Sequence, residues 1–170
     1  MTPIPAGPGG TFDLARYQDP LTIQRVLYSA KTIAIVGLSP NELRASYFVG
    51  YYLRRHGYQV FPVNPREREI LGAHSFPSLS DVPVPIDIVN VFRAPDAVPA
   101  IAEEAVRIRA GALWCQFGVI NADGARLAEA GGAAVIMDRC IKVEHARYVG
   151  RMHWLGFNTQ RITSIRGGLQ

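Results

Sequence analysis

Short apolar runs alternate with amphipathic segments along most of this chain, and this alternation constrains the fold more than any other feature. The apolar runs cover residues 32–36, 58–63, 86–92, 112–117 and 133–137. Runs this short and this continuously apolar are typical of strands that are covered on both faces in a parallel sheet. The sequence therefore predicts five such strands. The polar, proline-punctuated stretch 67–85 leaves room for one more short strand at residues 73–76.

Helices are predicted between these strands. Aspartate followed by proline at residues 19–20 suits the cap and the first position of a helix. Further helices are expected at residues 46–55, in a segment that opens at Pro95, and at residues 122–130. Because two parallel strands need a crossover connection, usually a helix, to return the chain, the predicted fold is a doubly wound α/β domain. A mainly parallel sheet is expected between two layers of helices, a three-layer αβα arrangement.

One domain is expected from 170 residues of which 48% are hydrophobic, since this length buries one sizeable core. The Pro/Gly-rich start predicts a disordered leader over residues 1–18, followed by the domain at residues 19–150. Residues 151–170 contain three arginines and no acidic residue. They are interpreted as a basic C-terminal tail.

The composition disfavours several classes of protein. No apolar stretch approaches the roughly 20 residues that span a bilayer, and residues 1–10 lack the charged and apolar regions of a signal peptide. The protein is therefore expected to be cytoplasmic and not attached to a membrane. Cys115 and Cys140 are too few for a disulfide framework and lack zinc-ligand spacing, so both thiols are expected to be reduced.

The net charge gives little information about the ligand until it is located along the chain. Eighteen basic and 14 acidic residues give +4, but residues 1–150 hold 15 basic and 14 acidic side chains, and the tail supplies the other +3. Nucleic acid is therefore an unlikely partner, and a nucleic-acid or partner-binding tail is the weaker interpretation. The case for an anionic ligand depends on individual arginines at strand ends.

Three loops are candidates for a binding site, because ligands of open α/β sheets bind beyond the carboxyl ends of the strands. They cover residues 37–46, 64–66 and 92–95. The first loop has neither a GxGxxG nor a GxxxxGKS/T pattern, which disfavours a simple NAD domain and a P-loop NTPase.

The first loop nevertheless suits an anion. Gly37 lies at the turn, and Ser39, Arg44 and Ser46 lie just before or at the start of a predicted helix. Free N–H groups and the helix dipole attract anions at such a position, so a pyrophosphate fits there. A plain turn at Gly37 and a helix cap at Ser46 explain these two residues equally well.

The second and third loops add two arginines. In place of the acidic residue that holds the ribose in NAD domains, this chain has Asn64, Pro65 and Arg66. Arginine suits a phosphorylated ribose, which occurs in NADP as a 2′-phosphate and in coenzyme A as a 3′-phosphate. Phe92 and Arg93 supply an aromatic surface and a second guanidinium, although each of these side chains is also compatible with an ordinary surface position.

Eight sequence blocks, taken in order, carry a resemblance to a known family. They are IVGLSP (35–40), RASY (44–47), YL (52–53), GYQV (57–60), PVNP (62–65), VFR (91–93), WCQFG (114–118) and MDRCIKVEH (137–145). Together they resemble the stand-alone CoA-binding proteins, which are similar to the N-terminal domain of the succinyl-CoA synthetase alpha subunit. The resemblance covers about residues 20–148.

This resemblance implies a Rossmann-like fold with strand order 3-2-1-4-5 and coenzyme A lying across the point where the strand order reverses. Arg66 falls where the family has a basic residue, usually lysine, near the ribose phosphate. Ala45 stands where the family commonly has proline. The residues implied to line the pyrophosphate loop are Gly37, Leu38, Ser39, Pro40 and Ser46, and those implied to flank the adenine or the pantetheine are Val91, Phe92 and Arg93. With Arg44, Asn64, Pro65 and Arg66, these form the complete expected binding set.

The expected function is binding of coenzyme A or an acyl-CoA by a non-catalytic module. The phosphorylated histidine of the synthetase belongs to a later domain, so no catalytic residue is expected here. Cys140 and His145 have no paired second half for a zinc site, so a metal ligand is not the expected role of either. An NADP-binding oxidoreductase or sensor is the alternative, because Arg66 suits either phosphate. The segment from Asp138 to His145 holds a thiol, an imidazole and two carboxylates, for which structural roles, thiol exchange with coenzyme A and metal binding all stay open. A protein partner or a homo-oligomer also stays open.

Overall fold

The computed structural model describes residues 11–150, so the first part of the expected leader and the whole expected basic tail lie outside the described residues. In chain order the elements are α1 (Pro20–Ser29), β1 (Thr32–Val36), α2 (Ala45–Arg55), β2 (Gln59–Val63), β3 (Glu69–Ile70), β4 (Ala73–His74), β5 (Ile88–Val91), α3 (Val98–Arg107), β6 (Ala112–Cys115), α4 (Ala122–Ala130), β7 (Ala134–Ile136) and α5 (Ile141–Tyr148), with 3-10 turns at Leu14–Gln18, Leu79–Asp81 and Pro95–Ala97.

Five parallel strands form the central sheet in the order β2-β1-β5-β6-β7. The chain first moves from β1 to one side of the sheet and then crosses to the other side, so the strand order reverses between β1 and β5. This confirms the predicted doubly wound, Rossmann-like α/β class. Ligands of such sheets bind where the order reverses, beyond the carboxyl ends of the strands.

The predicted strand order 3-2-1-4-5 needs correction, because the five sheet strands counted along the chain lie in the order 2-1-3-4-5. The short segment at 73–76 does not add a full strand beyond β2. Its first part pairs with β3 in a separate antiparallel hairpin, and only a single bridge joins Phe76 to Val63. The polar, proline-rich stretch around this segment is the physical reason, since it is poorly suited to a continuous edge strand.

Apolar cores lie on both faces of the sheet and give the expected three layers. Alternation along β1 sends Ile33 and Ile35 to one core and Ala34 to the other. Helices α1, α2 and α5 cover the first face, and α3 and α4 cover the second. Helices α3 and α4 pack closely where Gly124 meets Val98. A Cβ at Gly124 would lie only 2.5 Å from Cγ1 of Val98.

Capping side chains begin two of the helices, and the first of them is the predicted cap at Asp19. The Asp19 side chain accepts from the backbone N–H of Thr22 at 2.9 Å, and Pro20 is the first residue of α1. Asn121 accepts from the backbone N–H of Gly124 at 2.8 Å and caps α4 in the same way. These side chains fix where α1 and α4 begin.

The packed part of the chain begins before the expected boundary at residue 18. Tyr17 is 5% exposed and packs into the core between the sheet and α3 and α4, with Phe12 and Leu14 against it. Its carbonyl accepts from the N–H of Met137, and its hydroxyl donates to Glu129 at 3.1 Å. The described part of the predicted disordered leader, residues 11–18, is thus tied to the domain.

Within residues 11–150, none of the helices has the length and apolar character required to cross a membrane.

Candidate functional site

A cleft of about 250 Å³ opens at the carboxyl ends of β1, β2 and β5, on the face of the sheet that α3 covers. Its lining residues are Val36, Gly37, Val63, Asn64, Pro65, Pro77, Ser78, Leu79, Arg93, Ala97, Ala100, Ile101 and Glu104. The cleft therefore brings together Gly37, Asn64, Pro65 and Arg93 from all three candidate loops. It lies at the reversal of strand order, where topology places the ligands of such sheets.

Gly37 is required by the close approach of two loops at this cleft. Its φ is +86°, and a Cβ there would lie 2.3 Å from the carbonyl oxygen of Phe92 and 3.0 Å from Cδ of Arg93. Its N–H donates to the carbonyl of Val63 at 3.0 Å, which ties the loop to the end of β2. Only glycine lets β1 turn away from β5 at this point without a collision.

The loop between β1 and α2 is held by its own polar side chains. The backbone N–H of Ser39 donates to the Ser46 hydroxyl at 3.0 Å, and the N–H of Asn41 donates to the Ser39 hydroxyl at 3.1 Å. Arg44 occupies the cap position of α2 but makes no side-chain cap hydrogen bond. The first turn of α2 thus lacks a capping side chain, which suits an anionic ligand.

Asn64 joins the first two candidate loops. Its Nδ2 donates to the carbonyl of Leu38 at 3.0 Å, while its Oδ1 accepts from the N–H of Arg66 at 2.9 Å. This arrangement fixes the backbone that carries Arg66, whose side chain is exposed and which follows Pro65 of the cleft lining. The amide of Asn64 therefore positions the loop and is already occupied by protein groups.

All three predicted site arginines are available to a ligand. Arg44, Arg66 and Arg93 are exposed, and among the ion pairs of residues 11–150 none involves them. Guanidinium groups in this state present several N–H donors to phosphate oxygens. They are spread over the three loops, so an extended anion can meet more than one of them.

Other predicted site residues lie away from the cleft. Leu38 and Val91 are 0% exposed, so only their backbone can face a ligand. Phe92 is half-buried against the core under α2 and α5. Pro40 lines a different groove, of about 730 Å³, between α2 and the β3–β4 hairpin, together with Tyr47 and Tyr51.

One wall of the cleft, formed by α3 and by the turn at Leu79–Asp81, was not predicted from the sequence. Glu104 contributes to this wall, and its Oε1 accepts from the N–H and the hydroxyl of Ser80 at 2.9 and 3.2 Å. Ala97 and Ala100 keep the wall small. No sequence motif marks these residues. The sequence indicated only that a helix follows the third long strand, and such a helix packs beside the loop at residues 92–95 that precedes it.

The segment from Asp138 to His145 makes structural contacts. Asp138 accepts from the N–H of Gly118 at 2.7 Å, and Trp114 donates from Nε1 to the carbonyl of Arg139 at 2.8 Å. Glu144 is 2% exposed, and burial raises the pKa of its carboxyl. Its carboxylate lies 3.6 Å from the Arg147 guanidinium and 3.9 Å from that of Arg139.

Cys140 and His145 do not form a nucleophile–base pair. His145 faces α2, where Nδ1 lies 3.0 Å from the hydroxyl of Tyr52. Burial lowers the pKa of His145 to about 4, with a smaller contribution from His56. Cys140 lies half-buried at the cap position of α5, and Cys115 is fully buried, which raises its pKa to about 12.

The fold is that of a Rossmann-like α/β protein, with a cleft at the carboxyl edge of the sheet and exposed arginines on the three loops at that edge. Comparison with known proteins makes this more specific. Residues 31–146 match the family model described as "CoA binding domain". The chain belongs to this family, which confirms the resemblance inferred from the eight blocks.

Relatives of both small and large size match the chain. It is 42% identical over 124 residues to the uncharacterized protein YneT of Bacillus subtilis, covering 73% of this chain and 92% of that protein. It is 33% identical over 81 residues to acetate–CoA ligase (ADP-forming) I of Archaeoglobus fulgidus, covering 48% of this chain but only 12% of the ligase. A solved structure of a hypothetical protein from Pyrococcus horikoshii matches with a TM-score of 0.77 and 32% identity, covering 84% of this chain and all of that chain.

Proposed function

We propose that this protein binds coenzyme A, free or acylated, with the adenosine end in the cleft at the ends of β1, β2 and β5. The observation that carries the proposal is this cleft, with exposed arginines on its surrounding loops, in a member of the CoA binding domain family. At about 250 Å³ the cleft is smaller than the roughly 300–1,000 Å³ of sites that enclose a whole drug-sized ligand. It suits one end of a long ligand, and the remainder would extend along the sheet edge.

We assign the 3′-phosphate and the pyrophosphate of coenzyme A to separate groups by charge complementarity. Arg66 is exposed and follows Pro65 of the cleft lining, on a backbone fixed by Asn64, and we assign it to the 3′-phosphate of the ribose. Arg93 lies next to Gly37, and the uncapped first turn of α2 follows the same loop. These groups suit the pyrophosphate, because backbone N–H groups at a helix start and guanidinium groups both favour phosphate oxygens.

The role is proposed to be binding without catalysis. The segment related to the acetate–CoA ligase makes up 12% of that ligase, so most of the ligase has no counterpart in this match. Cys140 lies at the cap position of α5, whereas the imidazole of His145 in the same helix contacts Tyr52 of α2. We propose that such a module serves a regulatory role or passes the bound cofactor to a partner protein.

Titration calorimetry with coenzyme A, acetyl-CoA, NADP and NAD tests the proposal. We expect binding of coenzyme A or acetyl-CoA with a Kd well below about 1 mM, which corresponds to about −4 kcal/mol. The two nicotinamide cofactors should bind more weakly. If NADP binds more tightly than both CoA compounds, the alternative of an NADP-binding protein replaces this proposal. If none of the four binds below about 1 mM, the proposed function is wrong.

A further inference from the structure

One buried amide at the carboxyl edge of the sheet has an unused hydrogen-bonding atom. Asn90 in β5 is 0% exposed, and its Oδ1 accepts from Nε2 of Gln116. Its Nδ2 has no hydrogen-bond partner and is shielded from solvent, and it is the one side-chain atom in this condition among the described residues. Buried polar groups are normally paired, so this atom requires an explanation.

Asn90 faces the side of the sheet opposite the adenosine cleft. In the register it lies beside Ile35 of β1 and Trp114 of β6, both of which belong to the core under α1, α2 and α5. It precedes the last residue of β5, and Gln116 directly follows β6. The amide pair therefore lies near the strand ends, across the sheet edge from the cleft that α3 lines.

A long ligand that begins in the cleft and crosses the edge at Gly37 reaches this second side. Phe92 lies two residues after Asn90, so its side chain projects from the same side of the chain, and it is half-buried against the same core. Its N–H continues the pairing with β1 through the carbonyl of Val36 at 2.9 Å. The Asn90 amide and the Phe92 ring therefore lie on the same side of the sheet, the side that such a ligand would reach.

The chemistry of the unpaired atom indicates what it would bind. If both amides of the Asn90–Gln116 pair are turned over, the free atom of Asn90 becomes an acceptor instead of a donor. A ligand amide satisfies either arrangement, because it carries an N–H and a carbonyl. The pantetheine arm of coenzyme A contains two amides, whereas the adenosine and phosphate groups at its other end contain none.

We propose that Asn90, supported by Gln116, positions the pantetheine arm of coenzyme A by a hydrogen bond to one of its amides. This inference rests on the proposed function and assigns a second half to the same site. The adenosine end is held on the α3 side of the sheet edge. The amide-bearing arm is held on the α2 and α5 side, where the half-buried Cys140 also packs.

Comparison of coenzyme A with adenosine 3′,5′-bisphosphate, which lacks the pantetheine arm and the phosphate attached to it, tests this assignment by calorimetry. The wild-type protein should bind coenzyme A more tightly than the bisphosphate. Asn90→Val should reduce the affinity for coenzyme A by about tenfold, the effect of losing one buried hydrogen bond, and leave the affinity for the bisphosphate unchanged. Ile88→Val, in the same strand and on the same side, is the matched control and should change neither affinity.

Each other result has a definite meaning. If Asn90→Val leaves both affinities unchanged or lowers both equally, or if the wild-type protein binds the two ligands equally well, the Asn90 assignment is wrong while the proposed function stands. If the wild-type protein binds neither ligand, the proposed function itself fails. If Asn90→Val does not fold, the side-chain amide NMR signals of Asn90 in the wild-type protein decide. They should shift on addition of coenzyme A and not on addition of the bisphosphate, and equal responses would overturn the assignment.

Discussion

The hydroxyl of Tyr52 lies 3.0 Å from Nδ1 of His145, and this contact joins α2 to α5 inside the protein. His145 is 3% exposed, and the rings of Tyr52 and Tyr58 meet its imidazole edge-on at 5.5 Å. The exposed His56 ring lies 5.2 Å away and opposes a second positive charge. The imidazole is therefore held in its neutral form.

This contact predicts a loss of stability in mild acid. Because the pKa of His145 falls to about 4 in the folded protein, the unfolded state takes up the proton first as pH falls below about 6.5. The stabilisation is complete above about pH 6.5 and falls between pH 6.5 and pH 4 by at most about 3 kcal/mol, since one pKa unit corresponds to about 1.4 kcal/mol. Denaturant unfolding at several pH values measures it.

Two variants isolate this effect from other titrations. His145→Asn keeps a polar group near Nδ1 and should lose less stability between pH 7 and pH 5 than the wild-type protein. His74→Gln, at an exposed histidine on the β3–β4 hairpin, is the control and should follow the wild-type profile. Burial raises the pKa of Glu144, which acts in the opposite direction, so the comparison between variants carries the test. Parallel profiles for His145→Asn and wild type would contradict it.

Gly37→Ala should destabilise the protein more than an equivalent change at another glycine. Gly37 and Gly132 have φ of +86° and +89°, but a Cβ at Gly132 meets nothing within 4 Å, whereas at Gly37 it would lie 2.3 Å from a backbone oxygen. Gly132→Ala should cost about 1 kcal/mol from its conformation alone, and Gly37→Ala at least about 2 kcal/mol. Thermal unfolding of both variants measures the difference, and equal losses would show that the loops do not meet as described.

The two cysteines should differ in reactivity. Cys115 is 0% exposed with a pKa raised to about 12 by burial, whereas Cys140 is half-buried at the start of α5. A thiol reagent should therefore modify Cys140 in the native protein and Cys115 only on unfolding. Cys140→Ser should abolish the native-state reaction. A fast reaction that survives in this variant would place Cys115 nearer to solvent than the structure does.

Arg66→Ala should weaken coenzyme A binding by about tenfold and leave dephospho-CoA binding unchanged, because only coenzyme A carries the 3′-phosphate. Arg25 lies in α1, a helix that contributes no residue to the cleft, and is also exposed. Arg25→Ala therefore controls for the general loss of a positive charge. If Arg66→Ala weakens the binding of coenzyme A and of dephospho-CoA equally, the assignment of the 3′-phosphate to Arg66 is wrong.

The sheet and most helices were predictable because their signals are local. Five apolar runs defined the parallel strands, and Asp19 marked the start of α1 by its capping side chain. Helix α5 was not predicted, because Glu144, His145 and Arg147 are buried in it and hide its apolar face. Their burial depends on partners from α2 and from one another, which are tertiary contacts that periodicity does not report.

The candidate site was predictable at the level of loops but not of walls. Topology indicated the edge at Gly37, Asn64 and Arg93, which the cleft brings together. It did not indicate that Leu38 and Val91 are buried or that α3 supplies one wall, since both depend on how the layers pack. The cytoplasmic location, the oligomeric state and the role of residues 151–170 stay predictions.

A crystal structure of the protein with coenzyme A bound tests the central claim most directly. The adenine is predicted to lie in the cleft beside Gly37, Asn64 and Arg93, with the 3′-phosphate within about 3 Å of the Arg66 guanidinium. The pantetheine arm should cross the sheet edge toward Asn90. An adenosine end bound elsewhere, for example in the groove between α2 and the β3–β4 hairpin, would contradict this account of the site.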